Sequence, residues 1–187
     1  MLKKITFIAA LFISISGAAQ KPVYRGNHYL GLLAGEDNGF QVTTVNGIET
    51  GGYFFGIGTG FDSYGKAAIP LFVSISKYLS ASERNFFLSL NAGTSFAAKK
   101  GDLTMLFNAR KVSSQPRPFG EAGLGYRFKT KGMKTGQGVL FGAYYSYKGM
   151  REKFTLPGNC NNPPCAERYE YLDYKFNRWA FKVGVAL

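Results

Sequence analysis

The sequence predicts an all-β fold, an antiparallel up-and-down transmembrane β-barrel of eight strands. The first observation is that apolar and polar residues alternate with a period of two, in segments of about ten residues that indicate two-faced strands. The second is that no apolar run after residue 20 approaches the roughly 20 residues that a membrane-spanning helix needs. The third is that one strand face is branched and aromatic, whereas the other is mostly Gly, Ala, Ser and Asn.

The first nineteen residues have the features of an export signal. Lys3 and Lys4 precede an apolar stretch that runs to about Ile15, and small residues follow at 16–19. This arrangement predicts a cleaved signal peptide at 1–19 and a single barrel domain at 20–187. The alternative is a membrane anchor, which the shortness of the apolar stretch disfavours. Export makes the bacterial outer membrane the expected location of a closed barrel.

Eight segments alternate as strands do, and the first two do so least clearly. In chain order they are about 28–35, 40–46, 53–62, 69–79, 86–96, 119–129, 139–148 and 179–187. The clearest is 86–96, where Phe86 and Leu88 share one face while Phe87 and Ser89 share the other. An even number of strands leaves both termini on the periplasmic side.

The connections between these segments fall into two classes. Short periplasmic turns are predicted at 47–52, 80–85 and 130–137. Outer loops are predicted at 36–39, 63–68, 99–118 and 151–176, so the two longest connections share the outer side. Residues 103–107 are too apolar for a solvated loop, which leaves an extension of the wall, a plug and an extra hairpin as alternatives for this segment.

The chemistry of the less apolar face favours a membrane barrel over a soluble lipocalin-like barrel, which shows the same alternation. A soluble barrel needs a charged and wet outer face, whereas runs such as 56–60 and 184–186 suit the packing of a narrow lumen. Four charged residues share this inner face, namely Glu121, Arg127, Lys148 and Lys182. A lone charge there is unfavourable, so we predict a lumen charge network in which Glu121 meets at least one of the three cations.

The larger face carries rings near the predicted strand ends, where amphipathic side chains favour a membrane interface. They are Tyr53, Phe61, Tyr126, Phe128, Tyr145, Tyr147 and Trp179. Ordinary core aromatics are the alternative interpretation. Lys77 shares this face, and we expect its ammonium group to reach the periplasmic headgroups.

Several stretches resemble small outer-membrane β-barrel proteins of Gram-negative bacteria, of the OmpX and OmpW type. They are GFQVTTVNG at 39–47, the Gly-rich strand at 56–62, IPLFV at 69–73 and GEAGLGY at 120–126. The resemblance covers nearly the whole mature chain and implies an architecture and a location. It does not imply a reaction.

The predicted outer loops contain the candidate contact residues. Cys160 and Cys165 are four residues apart in an exported chain, which predicts a disulfide at a loop tip; a zinc site is the weaker alternative. Charged and tyrosine residues in the loop 151–176 favour contact with an extracellular protein. A basic group in the loop 99–118 matches lipopolysaccharide phosphates, with a merely solvated loop as the alternative. Its members are Lys99, Lys100, Arg110, Lys111 and Arg117.

Composition and motifs order the possible functions. The net charge of +12 is not gathered into one basic arm, so outer-membrane lipid is the expected partner and nucleic acid is not. We expect first a structural or surface-interaction barrel with a lumen filled by side chains, and second a channel for small solutes or hydrophobic compounds. A lipid-modifying enzyme is a distant third, because His28 at the barrel rim is the sole candidate base. No catalytic site, cofactor or metal is predicted.

Overall fold

The computed structural model describes residues 21–79, 85–98, 111–129, 137–156 and 168–187, with the backbone alone for 111 and 112. These residues form nine strands. They are β1 (Val23–Ala34), β2 (Asn38–Thr50), β3 (Tyr53–Asp62), β4 (Ala68–Tyr78), β5 (Phe86–Ala97), β6 (Lys111–Gln115), β7 (Arg117–Phe128), β8 (Gly138–Leu156) and β9 (Arg168–Ala186). Within the described ranges, no helix is long and apolar enough to cross a membrane.

The nine strands make one closed antiparallel barrel. Strands β1 to β5 pair in chain order. Strand β5 then pairs with β7, β7 with β8, and β8 with β9. Pairing of β9 with β1 closes the sheet. Strands β6 and β7 pair with successive stretches of β8 and are separated by Pro116, which has no N–H group for the ladder. They occupy one position, so the predicted eight-stranded wall is confirmed.

The two ends of the barrel differ in their connections. One end, here called the terminal end, carries the start of β1, the end of β9 and the turn at Gly51 and Gly52. Both glycines have positive φ angles, 58° and 80°, as a two-residue hairpin with a right-handed twist requires. The other end, here called the extended end, carries the continuation of β8 and β9 beyond the rest of the wall. The predicted turn at 47–52 is reduced to Gly51 and Gly52, because β2 continues to Thr50. Strands β5 and β8, which precede the two longest predicted connections, both end at the extended end.

The strands are strongly tilted about the barrel axis. The ladder row that begins at Ala186 passes through Asn27, Val45, Gly58, Phe72, Gly93, Phe119 and Lys148. It returns to β9 at Phe176 and not at Ala186. Such a stagger is the geometric requirement for closing a small barrel, and it leaves an interior just wide enough to be filled by side chains.

The alternation places large apolar side chains outside and polar side chains inside. On β4, residues 69, 71, 73, 75 and 77 are exposed, whereas residues 68, 70, 72, 74, 76 and 78 are buried. Leu71 is 48% exposed and Val73 is 55% exposed, which is the reverse of a water-soluble sheet. The outward rows predicted for 53–62, 69–79, 86–96 and 179–187 are the rows observed.

The interior combines glycines with large rings. A Cβ atom on Gly58 would lie 2.4 Å from the ring of Phe72, and one on Gly125 would lie 2.2 Å from the ring of Phe87. The inward glycines thus provide the space for inward aromatic side chains on neighbouring strands. The lumen is consequently filled by alternating very small and very large residues, and not by small residues alone.

Two predicted outer loops contain strand. In the last part of the predicted loop 99–118, residues 111–115 form β6 and residues 117–118 begin β7. Most of the predicted loop 151–176 is also strand, since β8 continues to Leu156 and β9 begins at Arg168. The loop prediction was wrong there because cross-strand pairing continues where both faces carry polar or aromatic residues, so that the apolar–polar contrast is lost.

Candidate functional site

Charged side chains in the lumen gather at three levels, the first of which lies at the terminal end. Arg127 donates from Nη1 to Glu49 Oε2 at 3.3 Å, and Arg25 Nε lies 3.7 Å from the same oxygen. The Arg127 guanidinium also stacks over the ring of Tyr78, 4.2 Å from its centroid. Because Glu49 is 4% exposed, its charge is stabilised by these two cations rather than by water.

The second level lies midway along the lumen and joins Glu121 to Lys182. Lys182 Nζ donates to Glu121 Oε1 at 2.5 Å, and Asn91 Nδ2 donates to the same oxygen at 3.0 Å. The ammonium group also lies 4.9 Å from the centroid of the Tyr144 ring, within the range of a cation–π contact. Three strands that are not all neighbours are thereby connected through the lumen.

The third level lies toward the extended end and is centred on Asp62. Its carboxylate accepts hydrogen bonds from Arg178 and, at 3.1 Å, from Lys148 Nζ. Lys148 also donates to the backbone carbonyls of Tyr64 and Lys66, each at 2.7 Å. The ammonium group therefore makes three hydrogen bonds, the full number available to it. Lys148 and Asp62 are both 0% exposed, so this ion pair is fully buried.

Aromatic rings fill the space between the charged levels. Phe72 and Phe119 pack with ring centroids 5.4 Å apart, and Tyr78 and Phe87 pack at 5.8 Å. Around Asn27, Ser74 and Glu121, the lumen leaves only about 10 Å³ for the centre of a water molecule. That volume accommodates at most a single water, so the described side chains fill this part of the lumen.

The outer surface of the wall is an apolar belt bordered by aromatic rings at both ends. Toward the terminal end, the ring centroids of Phe86 and Tyr126 are 4.6 Å apart. The ring centroid of Phe128 lies 4.5 Å from that of Tyr126 and 5.5 Å from that of Phe141. Toward the extended end, the rings of Phe40 and Phe61 lie 5.8 Å apart, and those of Tyr145 and Trp179 lie 5.5 Å apart. Lys77 lies on the terminal-end border, with its ammonium 5.4 Å from the centroid of the Tyr53 ring.

The structure separates the four predicted lumen charges into three groups. Glu121 and Lys182 are in direct contact, whereas Arg127 lies at the terminal-end level and Lys148 at the Asp62 level. The sequence analysis did not name four of their neighbours, which are Arg25, Glu49, Asp62 and Arg178. Glu49 lies in the predicted turn 47–52, and Arg178 lies between the predicted loop 151–176 and the predicted strand 179–187. The alternation along the strands could have placed two of them in the lumen. Arg178 is on the same face of β9 as Lys182, and Glu49 is on the same face of β2 as Val45.

Beyond the barrel, β6, β8 and β9 form a three-stranded extension made of residues 111–115, 150–156 and 168–174. Arg151 holds Asp173 through two hydrogen bonds of 2.6 and 2.5 Å, and Arg117 donates to Asp173 at 3.3 Å. The hydrogen bond from Arg151 lowers the pKa of Asp173 and raises that of Arg151. Tyr169 and Tyr171 are exposed, and Lys153 Nζ lies 3.8 Å from the Tyr169 ring centroid.

The remaining predicted contact residues fall in different parts of the chain. Lys99, Lys100, Arg110, Cys160 and Cys165 lie outside the described residues, as does the predicted signal peptide at 1–19. Lys111 is placed by its backbone in β6, and Arg117 contributes to the extension. His28 is exposed on the outward face of β1, where its Nδ1 lies 2.9 Å from Thr44 Oγ1.

Comparison with solved structures finds a similar architecture. No family model and no curated protein matches the chain. Among solved structures, the chain is similar to the crystal structure of the outer membrane protein OprG from Pseudomonas aeruginosa. The TM-score is 0.49 and the identity is 8%, over 88% of this chain and 94% of that chain.

Proposed function

We propose that this protein is an outer-membrane β-barrel with a sealed lumen, which displays its β6–β8–β9 extension on the cell surface as an interaction module. The single observation that carries the proposal is the outward belt of exposed aliphatic and aromatic side chains. Each such side chain gains roughly 1.5–3 kcal/mol when it is transferred from water to hydrocarbon. A closed sheet with no free edge in the wall is the form of β-structure that a bilayer accepts.

The packing of the lumen favours an interaction role over a channel. Ion pairs bridge the lumen at three levels, and the rings of Phe72, Phe119, Tyr78 and Phe87 lie between them. Opening a path through the lumen would separate the partners of a buried ion pair. Loss of one partner from such a pair destabilises a protein by about 3–5 kcal/mol. The interior is thus built to hold the wall rigid.

The extension has the features of a surface for protein contact. Its exposed Tyr169, Tyr171 and Leu172 are rigid apolar anchors, and Arg151 and Asp173 next to them are held by mutual hydrogen bonds. Such preorganisation lowers the entropy lost on binding. We also propose lipopolysaccharide as a partner, bound by the basic residues on this side of the barrel. A disulfide between Cys160 and Cys165 would stiffen the tip of the loop.

Two measurements test the proposed location and the proposed sealed lumen separately. Membrane fractionation should recover the full-length protein in the outer membrane, and unboiled samples should run at a different position from boiled samples on a gel. Planar bilayers containing the purified barrel should show no stepwise conductance. Recovery in the soluble periplasm would contradict the location, whereas steady single-channel currents would contradict the sealed lumen and favour the channel alternative.

A further inference from the structure

A small polar cluster interrupts the apolar outer wall near the terminal end. It consists of Tyr24 and His28 on β1 and Thr44 and Asn46 on β2, all with outward side chains. The residues around it on the same face are apolar, including Leu30, Val42 and Val185. Polar side chains that face hydrocarbon are unfavourable unless they are paired, so a cluster at this position needs an explanation.

The pairing inside the cluster leaves the Asn46 amide NH₂ and His28 Nε2 for contacts with other molecules. Tyr24 donates its hydroxyl proton to Asn46 Oδ1 at 3.1 Å, which leaves the Asn46 amide NH₂ to donate elsewhere. Thr44 Oγ1 lies 2.9 Å from His28 Nδ1, and in the tautomer that accepts the hydroxyl proton at Nδ1 the ring N–H is at Nε2. With this tautomer the cluster keeps two N–H donors, while Asn46 Oδ1 and His28 Nδ1 each accept an internal hydrogen bond.

Gly26 provides a notch beside His28 Nε2 and the carbonyl oxygen of the Asn46 side chain. A Cβ atom at this position would lie 3.2 Å from Asn46 Oδ1 and 3.3 Å from His28 Nε2, so the two side chains meet above a residue that has none. The same His28 and Thr44 border an outward groove of about 540 Å³ that is otherwise lined by apolar residues, among them Leu30, Val42, Phe61 and Val183. A polar notch therefore opens directly onto an apolar groove.

We propose that this notch and groove form a binding site for one phospholipid of the periplasmic leaflet, and this inference rests on the proposed membrane location. The ester or phosphate oxygens of the lipid accept hydrogen bonds from His28 Nε2 and Asn46 Nδ2. One acyl chain lies in the groove along Leu30 and Val42. The combination of two N–H donors with an apolar groove matches a molecule that has acceptor oxygens at one end and hydrocarbon at the other.

The depth of the notch agrees with this assignment. Tyr24 lies at the aromatic border of the terminal end, and Gly26 and His28 follow two and four residues later on the same strand. At about 3.3 Å per residue and a tilt of about 40°, the notch lies roughly 5–10 Å inside that border. This is the region in which the headgroup and glycerol backbone of a phospholipid meet the acyl chains.

The test uses the full-length barrel, purified in detergent and titrated with phosphatidylethanolamine while bound lipid is counted by native mass spectrometry. His28→Leu with Asn46→Leu removes both donors and makes the wall more apolar. Gly26→Ala fills the notch while keeping the donors, since the added methyl meets only the ends of two flexible side chains. Gly120→Ala is the matched control, because a Cβ there has only Asn91 O at 4.0 Å as a neighbour.

We expect one tightly retained phospholipid on the wild-type protein and on Gly120→Ala, and about tenfold weaker retention on the other two variants. Equal retention by all four proteins would overturn the proposal, since it would indicate unselective annular lipid. A dimer in the spectra that disappears in the same variants would also overturn it and assign the face to a second copy. The gel shift on heating shows separately whether each variant is a folded membrane barrel.

Discussion

At the scale of single residues, the lumen shows how a buried carboxylate is accommodated. Each of Glu49, Glu121 and Asp62 is less than 5% exposed, and each is held by at least one cation from another strand. Buried pairs of this kind contribute little net stability against an apolar replacement, but the loss of one partner is strongly unfavourable. They fix which strands face each other across the barrel.

Replacing Lys182 with Met should destabilise the barrel by about 3–5 kcal/mol, because the buried Glu121 carboxyl group would lose its cation and keep only the hydrogen bond from Asn91. Adding Glu121→Leu to Lys182→Met should recover most of this loss. Urea-induced unfolding in lipid vesicles measures both free energies. Lys77→Met on the outward face is the control and should change stability by no more than about 1 kcal/mol. A single variant as stable as the wild type would show that the pair is not formed.

Glycine in the lumen makes a second prediction at this scale. Gly58→Val should destabilise the protein by about 1–3 kcal/mol, because its side chain would overlap the Phe72 ring. Shortening the ring with Phe72→Leu in the same protein should restore part of the loss. Gly120→Val, whose side chain enters open space, serves as the comparison in the same unfolding experiment. An equal effect of both valines would contradict the proposed packing of rings over glycines.

The sequence predicts the face of these residues better than their partners. Parity along a strand assigns Glu121, Lys148 and Lys182 to the interior, because the period of two is local information. Partner choice depends on strand stagger, which brings Lys148 of β8 to Asp62 of β3 across the lumen. Stagger is set by closure of the whole sheet, so no local pattern encodes it.

At the scale of elements, the strands fall into a wall part and an extension part that follow different rules. In the wall, one face meets the apolar belt and the other meets the lumen, so alternation is strong and the sequence predicts the central strands well. In the extension, β8 and β9 place polar and aromatic residues side by side, as where Lys153 contacts the ring of Tyr169. The contrast between an apolar and a polar face is lost there. This is why 151–156 and 168–176 were predicted as loop.

The extension also makes a pH-dependent prediction. Because Arg151 lowers the pKa of Asp173 in the folded protein, the contribution of the pair to stability is complete above the ordinary Asp value of about 3.9. That contribution is lost as the pH falls through the lower, folded value. NMR titration of the Asp173 carboxyl group should show a midpoint below the ordinary value, and Arg151→Gln should move it upward. An unchanged midpoint in Arg151→Gln would contradict the hydrogen-bonded pair.

At the scale of the whole molecule, the composition of the two faces of the sheet indicates which solvent surrounds the barrel. A soluble barrel would enclose its aliphatic residues, whereas this barrel exposes them and encloses Arg127, Lys148 and Arg178. The same tilt that closes the sheet narrows the lumen until ion pairs and rings fill it. The proposed surface role follows from this arrangement, because a filled barrel offers its ends and its outer wall, and not its interior, to other molecules.

The most direct test measures which solvent each face of β4 meets. Nitroxide side chains are introduced singly at residues 69, 71, 73, 75, 74 and 76, with Cys160 and Cys165 replaced by Ser, and the protein is reconstituted in vesicles. We predict that electron paramagnetic resonance shows high collision rates with oxygen and low rates with a water-soluble nickel complex at Ile69, Leu71, Val73 and Ile75. Labels at Ser74 and Ser76 should collide rarely with either. Frequent collisions with the nickel complex at Leu71 and Val73 would contradict a lipid-facing wall.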